Sequence, residues 1–148
     1  KLLVMDPKDF EHWVAGYFLD QGYKNVSVIL GGSDVGVDIH LAAPNGRKVI
    51  VQCKRYALDK MVDRPTVMKT DSARNYFKVS KAYIVTTSDF TLEAIEYAKA
   101  MKVALINGKQ LLSDDVGKKE SRQSVLKPVK IQTKQISKKP SPVKTVDR

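Results

Sequence analysis

The tripeptide Pro44-Asn45-Gly46 stands between two apolar runs, Gly36 to Ala43 and Arg47 to Tyr56, and dictates how they can meet. Pro at the first position and Gly at the third suit a three-residue hairpin loop, a type I turn closed by a residue in the left-handed region. Such a loop pairs Ala43 with Arg47 and, counting back, Leu41 with Val49, Ile39 with Val51 and Asp38 with Gln52. Directly opposed residues share a face. Lys54 lies two residues beyond Gln52 and projects the same way, roughly 7 Å along the strand at ~3.4 Å per residue. The register therefore predicts that Asp38, Gln52 and Lys54 converge, while Ile39, Leu41, Val49, Val51 and Cys53 form an apolar face opposite. A two-residue Asn-Gly turn would slip the ladder by one and send the Asp38 carboxylate to the apolar side, which is costly.

A carboxylate and an amide oxygen are hard ligands of the kind Mg²⁺ accepts while it keeps several waters and substrate phosphate oxygens. A lysine beside them would be a point charge near a phosphate or near the water that attacks it. The chemistry suggested is metal-assisted phosphodiester hydrolysis. Taken alone the spacing is a weak signal, and a solvated strand face is the plainer reading of it.

Elsewhere Asp6-Pro7 caps and starts a helix in which Phe10, Trp13, Val14, Tyr17 and Phe18 keep helical spacing until Gly22. Glu11 sits at the edge of that stripe. Val26 to Leu30 reads as a first strand, followed by the hairpin. A helix started at Pro65 runs to about Phe77, YIVTT is a buried strand, Thr91 to about Met101 is an amphipathic helix, and VALI is another strand. The expected order is helix, three-strand meander, then two helix-strand units. This is an α/β fold with a mixed central sheet and flanking helices, its later crossovers parallel and right-handed.

The GGSDVG stretch lacks the lysine and following helix of a phosphate-binding loop, so it reads as the loop entering the Asp38 strand, with Asp34 either a turn residue or an outer carboxylate. His12 and His40 lack metal spacing, and no Ser-His-Asp or Cys-His arrangement is suggested. Cys53 is the single cysteine, which excludes a disulfide framework and fits a reducing, cytoplasmic setting. No apolar run approaches the ~18 residues a membrane helix needs. The chain does not begin with Met and reads as a piece of a longer protein or a processed one.

The net charge of +10 is uneven: residues 114 to 148 hold 10 Lys plus Arg against 4 Asp plus Glu, with Pro-Ser-Pro and no aromatic residue. They read as a basic, flexible linker or tail following a domain of residues 1–113, with VKIQTK open to being a strand of something further on. Such a tail adds nonspecific phosphate affinity, or is simply solvated.

DFEHWVAGYFLDQGY, GGSDVGVDIH, VIVQCKRY, AYIVTTSDFTLEAIEYAKAMKVALING and KQLL occur in the order expected of the Mrr-like restriction endonuclease family of the PD-(D/E)XK nuclease superfamily, which residues 6 to about 112 resemble. The resemblance implies a restriction-endonuclease-like core whose catalytic positions are Glu11, Asp38, Gln52 and Lys54. Gln52 stands where most of the wider superfamily has Glu or Asp, although Gln is usual among Mrr-like members. It further implies Mg²⁺, with Mn²⁺ as an alternative, held by Asp38, the Gln52 oxygen and the Cys53 carbonyl, and DNA as partner. A homodimer is one assembly open to it. His40, Arg55, Tyr56, Lys60 and Arg64 are candidate DNA contacts, although Arg55 points away from the trio by alternation and a solvated charge is the plain alternative for the basic side chains. Two other readings stay open: a degenerate domain that binds nucleic acid without cutting it, and a junction-resolving nuclease with the same centre.

Overall fold

The computed structural model describes residues 2–29, 35–123 and 132–134. After a short 3-10 turn at Leu2–Val4 comes helix α1, Pro7–Leu19. Asp6 caps α1 by accepting from the Asp9 amide, and Gly22 takes the positive φ of +90° that lets the chain turn back. Strands β1 (Lys24–Ile29), β2 (Ile39–Ala42) and β3 (Lys48–Lys54) form the antiparallel meander. Helix α2 (Arg64–Phe77) leads to β4 (Lys81–Thr86), and α3 (Leu92–Met101) to β5 (Ala104–Ile106), both strands running parallel to β3. Asp63 and Thr91 cap these two helices with their side chains. Helix α4 (Gly108–Gln123) and strand β6 (Gln132–Lys134) follow, giving the sheet order β5-β4-β3-β2-β1-β6.

The hairpin loop is the expected three-residue one. Ala43 donates to Arg47 at 2.8 Å, Gly46 donates back to Ala43 at 2.8 Å, and Gly46 adopts φ +88°. The ladder pairs Leu41 with Val49 and Ile39 with Val51. Both sheet faces are covered, so strand residues of either parity are buried. Val26, Val28, Ile39, Leu41, Val49, Val51 and Cys53 meet α1 through Phe10, Val14 and Phe18. Ile50, Ala82 and Ile84 face the other way, onto Val67 and Ala73 of α2 and Ala94 and Ala98 of α3. This double cover explains why the strands read as continuous apolar runs.

The expected boundary after residue 113 falls inside α4, which continues to Gln123. Lys, Glu, Arg and Gln are good helix formers, so a charge-rich stretch can prolong a helix anchored by the fully buried Leu111. Tyr17 of α1 donates to the Asp114 carboxylate at 2.6 Å. Gln132–Lys134 of the VKIQTK alternation belong to this sheet, because β6 runs parallel to β1 opposite Ser27, Val28 and Ile29. The rest of the tail expected to be flexible, like Leu30 and Asp34, lies outside the described residues.

Two stability measurements test this packing. A Cβ on Gly108 would stand 2.1 Å from the Thr87 carbonyl oxygen. Gly108→Ala should therefore cost about 1–3 kcal/mol in urea denaturation, and an unchanged midpoint would show that α4 does not abut β4 so closely. Removing residues 114–148 deletes the Tyr17 acceptor and β6, so the thermal midpoint should fall by the equivalent of about 1 kcal/mol or more. A midpoint equal to that of the full chain would return these residues to the status of a linker.

Candidate active site

The expected site lies at the end of the β2–β3 hairpin, where the ladder breaks. Continued regularly, the register would place residue 37 opposite Cys53 and give the Cys53 amide a backbone acceptor. Instead the chain bends at Asp38. Val37 packs on the α2 side, whereas Ile39, two residues on, packs on the α1 side. The Asp38 amide donates to the Val51 carbonyl at 2.8 Å, and the Cys53 amide donates to the Asp38 carboxylate at 2.7 Å. The regular ladder thus stops at Ile39 and Val51, and alternation alone does not fix where the Asp38 side chain points. Its carboxylate caps the strand end, beside Glu11 of α1 and within reach of the Lys54 charge, while Gln52 and Lys54 keep the parity of the α2 side.

On that α2 side, Gln52 and Lys54 line a cleft of about 340 Å³ together with Thr66 and Lys69. Gln52 is 8% exposed; its Nε2 donates weakly to the Cys53 carbonyl at 3.4 Å, and its Oε1 is buried without a hydrogen-bond partner. Lys54 is half-buried at the strand terminus, with its Nζ 6.0 Å from the Tyr56 ring centroid. Its own carbonyl is pinned by the Thr86 hydroxyl at 2.7 Å and the Thr87 amide at 3.3 Å.

Glu11 approaches from α1, with 13% of its side chain exposed, and Lys8 one turn earlier sits 3.3 Å from its carboxylate. The same ammonium donates to the Ile29 carbonyl at 3.1 Å. Burial, then the Asp38 carboxylate beside it, push Glu11 up to about 7, against the pull of Lys8. Asp38 is raised too, by burial first, although the Cys53 amide and Lys54 act the other way. Two carboxyls that both resist ionisation describe a site short of positive charge. No cluster of three or more His, Cys, Asp or Glu suited to a metal occurs among the described residues. A cation here would rest on Asp38, Glu11, the Cys53 carbonyl and Gln52 Oε1. The residues fit such a group: all four donors are oxygens, two are carboxyls needing countercharge, and one is a buried acceptor left unpaired.

The other expected contacts scatter. His40 pairs with Ile50, four residues short of Lys54, and stacks edge-to-face on Phe77 at 4.9 Å, at the far end of α2 from the cleft. Arg55 does point away, donating to the Leu3 carbonyl at 2.9 Å. The Tyr56 backbone is clasped by the Thr87 hydroxyl through its amide at 2.9 Å and its carbonyl at 2.7 Å, while exposed Lys60 sits 4.2 Å over its ring. Arg64 lies over Tyr97 of α3 at 5.5 Å. Burial raises the Cys53 thiol well above its ordinary value, as expected of a packed hydrophobe. Lys8, Lys69 and the Thr86-Thr87 pair were not anticipated. Lys8 had a local signal, three residues from Glu11 on a helix; Lys69 had none, because only the tertiary packing of α2 on β3 brings it in.

Residues 2–113 match the Mrr catalytic family, described as a restriction endonuclease. No curated protein matches. Among solved structures, the protein of unknown function AF1548 superposes with a TM-score of 0.60 at 17% identity over 72% of this chain and 65% of its own. The DNA modification-dependent restriction endonuclease AspBHI gives 0.59 at 16% identity over 76% of this chain and 32% of its own. The MspJI restriction endonuclease, solved with a 27-mer oligonucleotide, gives 0.52 at 21% identity over 71% of this chain and 26% of its own. The chain thus spans about a third of AspBHI and a quarter of MspJI, and shares their fold. Since the family match takes in the whole sheet from β1 to β5 with α1, α2 and α3, the chain belongs to the Mrr-type restriction endonuclease catalytic family.

Proposed function

We propose that this domain is a divalent-cation-dependent endonuclease that hydrolyses DNA phosphodiester bonds, with Mg²⁺ as the ion and Mn²⁺ as its substitute. One observation carries the reading: the unpaired, buried Oε1 of Gln52 stands at the same strand end as the Asp38 carboxylate, the Cys53 carbonyl and the Lys54 ammonium. Asp38, Gln52 and Cys53 would hold the ion, and Glu11 would complete or position it once Lys8 yields. Bound there, a divalent ion supplies Lewis-acid polarisation of the phosphate and a more acidic water.

The protein's own groups do the rest. The Cys53 amide holds the Asp38 carboxylate in one orientation, and the Thr86 and Thr87 contacts hold the Lys54 backbone, so both functional ends are fixed before substrate arrives. Lys54 then offers a compact positive charge where a phosphate gains negative charge as water adds and the leaving sugar oxygen departs. No helix among the described residues is long and apolar enough to cross a membrane.

Lys54→Ala should lower plasmid cleavage about 10²- to 10³-fold, the usual cost of one well-placed electrostatic group, yet keep Mg²⁺ binding in calorimetry. Asp38→Asn should weaken both. DNA affinity should change little in either, being spread over many phosphates. Wild-type chain that cuts none of plasmid, linear, methylated or four-way-junction DNA with Mg²⁺ would favour the non-cleaving reading, and cutting confined to the junction would favour a resolving nuclease.

Glu11 supplies a pH test. Its carboxyl titrates at about 7 rather than at the ordinary 4.5, so between these values the folded state keeps a proton that the unfolded chain has released. The stability it contributes is complete below about pH 4.5 and lost as pH rises through about 7. In chelator, the thermal midpoint of the wild type should decline over that window, and Glu11→Gln should flatten the decline. Parallel curves for the two proteins would remove Glu11 from the buried pair.

A further inference from the structure

The cleft between β3 and α2 extends past Gln52 and Lys54 to a second cation that the strand motif does not include. Lys69 lines it from α2, so two lysines share one opening. Neither forms an ion pair with a described residue, although Lys54 lies close enough to the Asp38 carboxyl to lower it. Asp63 also lines the cleft and caps α2, where it accepts from the Thr66 amide at 3.3 Å and the Thr66 hydroxyl at 3.0 Å.

Lys69 is exposed, but its stem lies against the backbone of the turn into Asp38. A Cβ on Gly36 would stand 3.1 Å from Lys69 Cγ, and Gly36 adopts φ +79°. The glycine that opens the turn into Asp38 therefore leaves the room in which the Lys69 stem lies. A bulkier residue at 36 would meet both a strained backbone and that stem. Gln52 and Thr70 line the cleft as well, the latter with no exposed surface.

We propose that this cleft seats the phosphate next to the scissile one on the cleaved strand, with Lys69 gripping it while Lys54 faces the reacting phosphate. This rests on the nuclease reading for the word scissile, but not for the contact itself. Lys69 would set the register of the strand over the strand-end oxygens and so act through binding.

The test combines binding and kinetics on the full chain. Short duplex DNA is titrated without added divalent ion at several salt concentrations, against wild type, Lys69→Ala, Lys69→Arg and, as a surface control, Lys99→Ala on α3. Mg²⁺-dependent cleavage is then followed for each. Lys69→Ala should reduce the salt slope of the affinity by about one phosphate's worth, ~0.9. It should raise KM about five- to tenfold and leave kcat within about twofold. Lys69→Arg should restore the slope, and Lys99→Ala should resemble wild type. A slope and KM unchanged in Lys69→Ala overturn the proposal, as does a loss confined to kcat, which would put Lys69 at the reacting atoms. If the wild type cuts no DNA but Lys69→Ala still lowers the slope, the nuclease reading fails and the phosphate seat stands.

Discussion

The hydrogen bond from the Cys53 amide to the Asp38 carboxylate is the contact on which the site depends. A β-ladder normally satisfies its amides from the neighbouring backbone, and here a side chain replaces that neighbour for one residue. The replacement does two things at once. It ends the hairpin without orphaning a buried donor, and it fixes a carboxylate at the place where the strand stops. The Cys53 carbonyl at the same strand end is met by the Gln52 side-chain amide at 3.4 Å. One local irregularity thus gathers polar groups at a place that would have been sheet.

The two faces of the sheet divide the labour. The α1 face brings Glu11 and Lys8, so it sets how readily the carboxyls give up protons; the α2 face opens as a cleft and brings the lysines. Because both faces are buried over most of their length, few polar side chains sit within the strands, Ser27 and His40 among them, and others gather at the strand end. This is why Asp38, Gln52 and Lys54 cluster within a few residues of the bend. Burial still acts on them, however, and it is what raises both carboxyls, with the Asp38 charge raising Glu11 further.

Much of this was legible in the sequence, and what was not has a physical reason. Pro44-Asn45-Gly46 announced the loop, and Asp6-Pro7, Pro65 and Thr91 announced helix starts, because turns and caps are local chemistry that a few residues decide. The hairpin register followed from the loop. The face of Asp38 did not, since alternation carries no information about where a strand bends out of its own ladder. His40 was expected beside Asp38 for the same reason and instead packs on Phe77. Glu11 could be placed on the rim of a helix stripe from spacing alone, but its altered acidity needed its neighbours. The helical continuation past residue 113 was hidden by composition, as the same lysines and glutamates that suit a linker also suit a helix.

Strand β6 has a bearing on how the molecule behaves in company. By running along the outer side of β1, it occupies backbone groups that would otherwise face solvent as an open sheet edge. Such an edge invites pairing with another chain, and β1 buries Val26 and Val28 inward although its ladder to β2 is irregular between Lys24 and Ser27, where Asn25 has φ +55°. The opposite margin is the three-residue β5, too short to recruit a neighbour efficiently. Three residues far along the basic tail therefore decide how much of the β1 edge stays open to another chain.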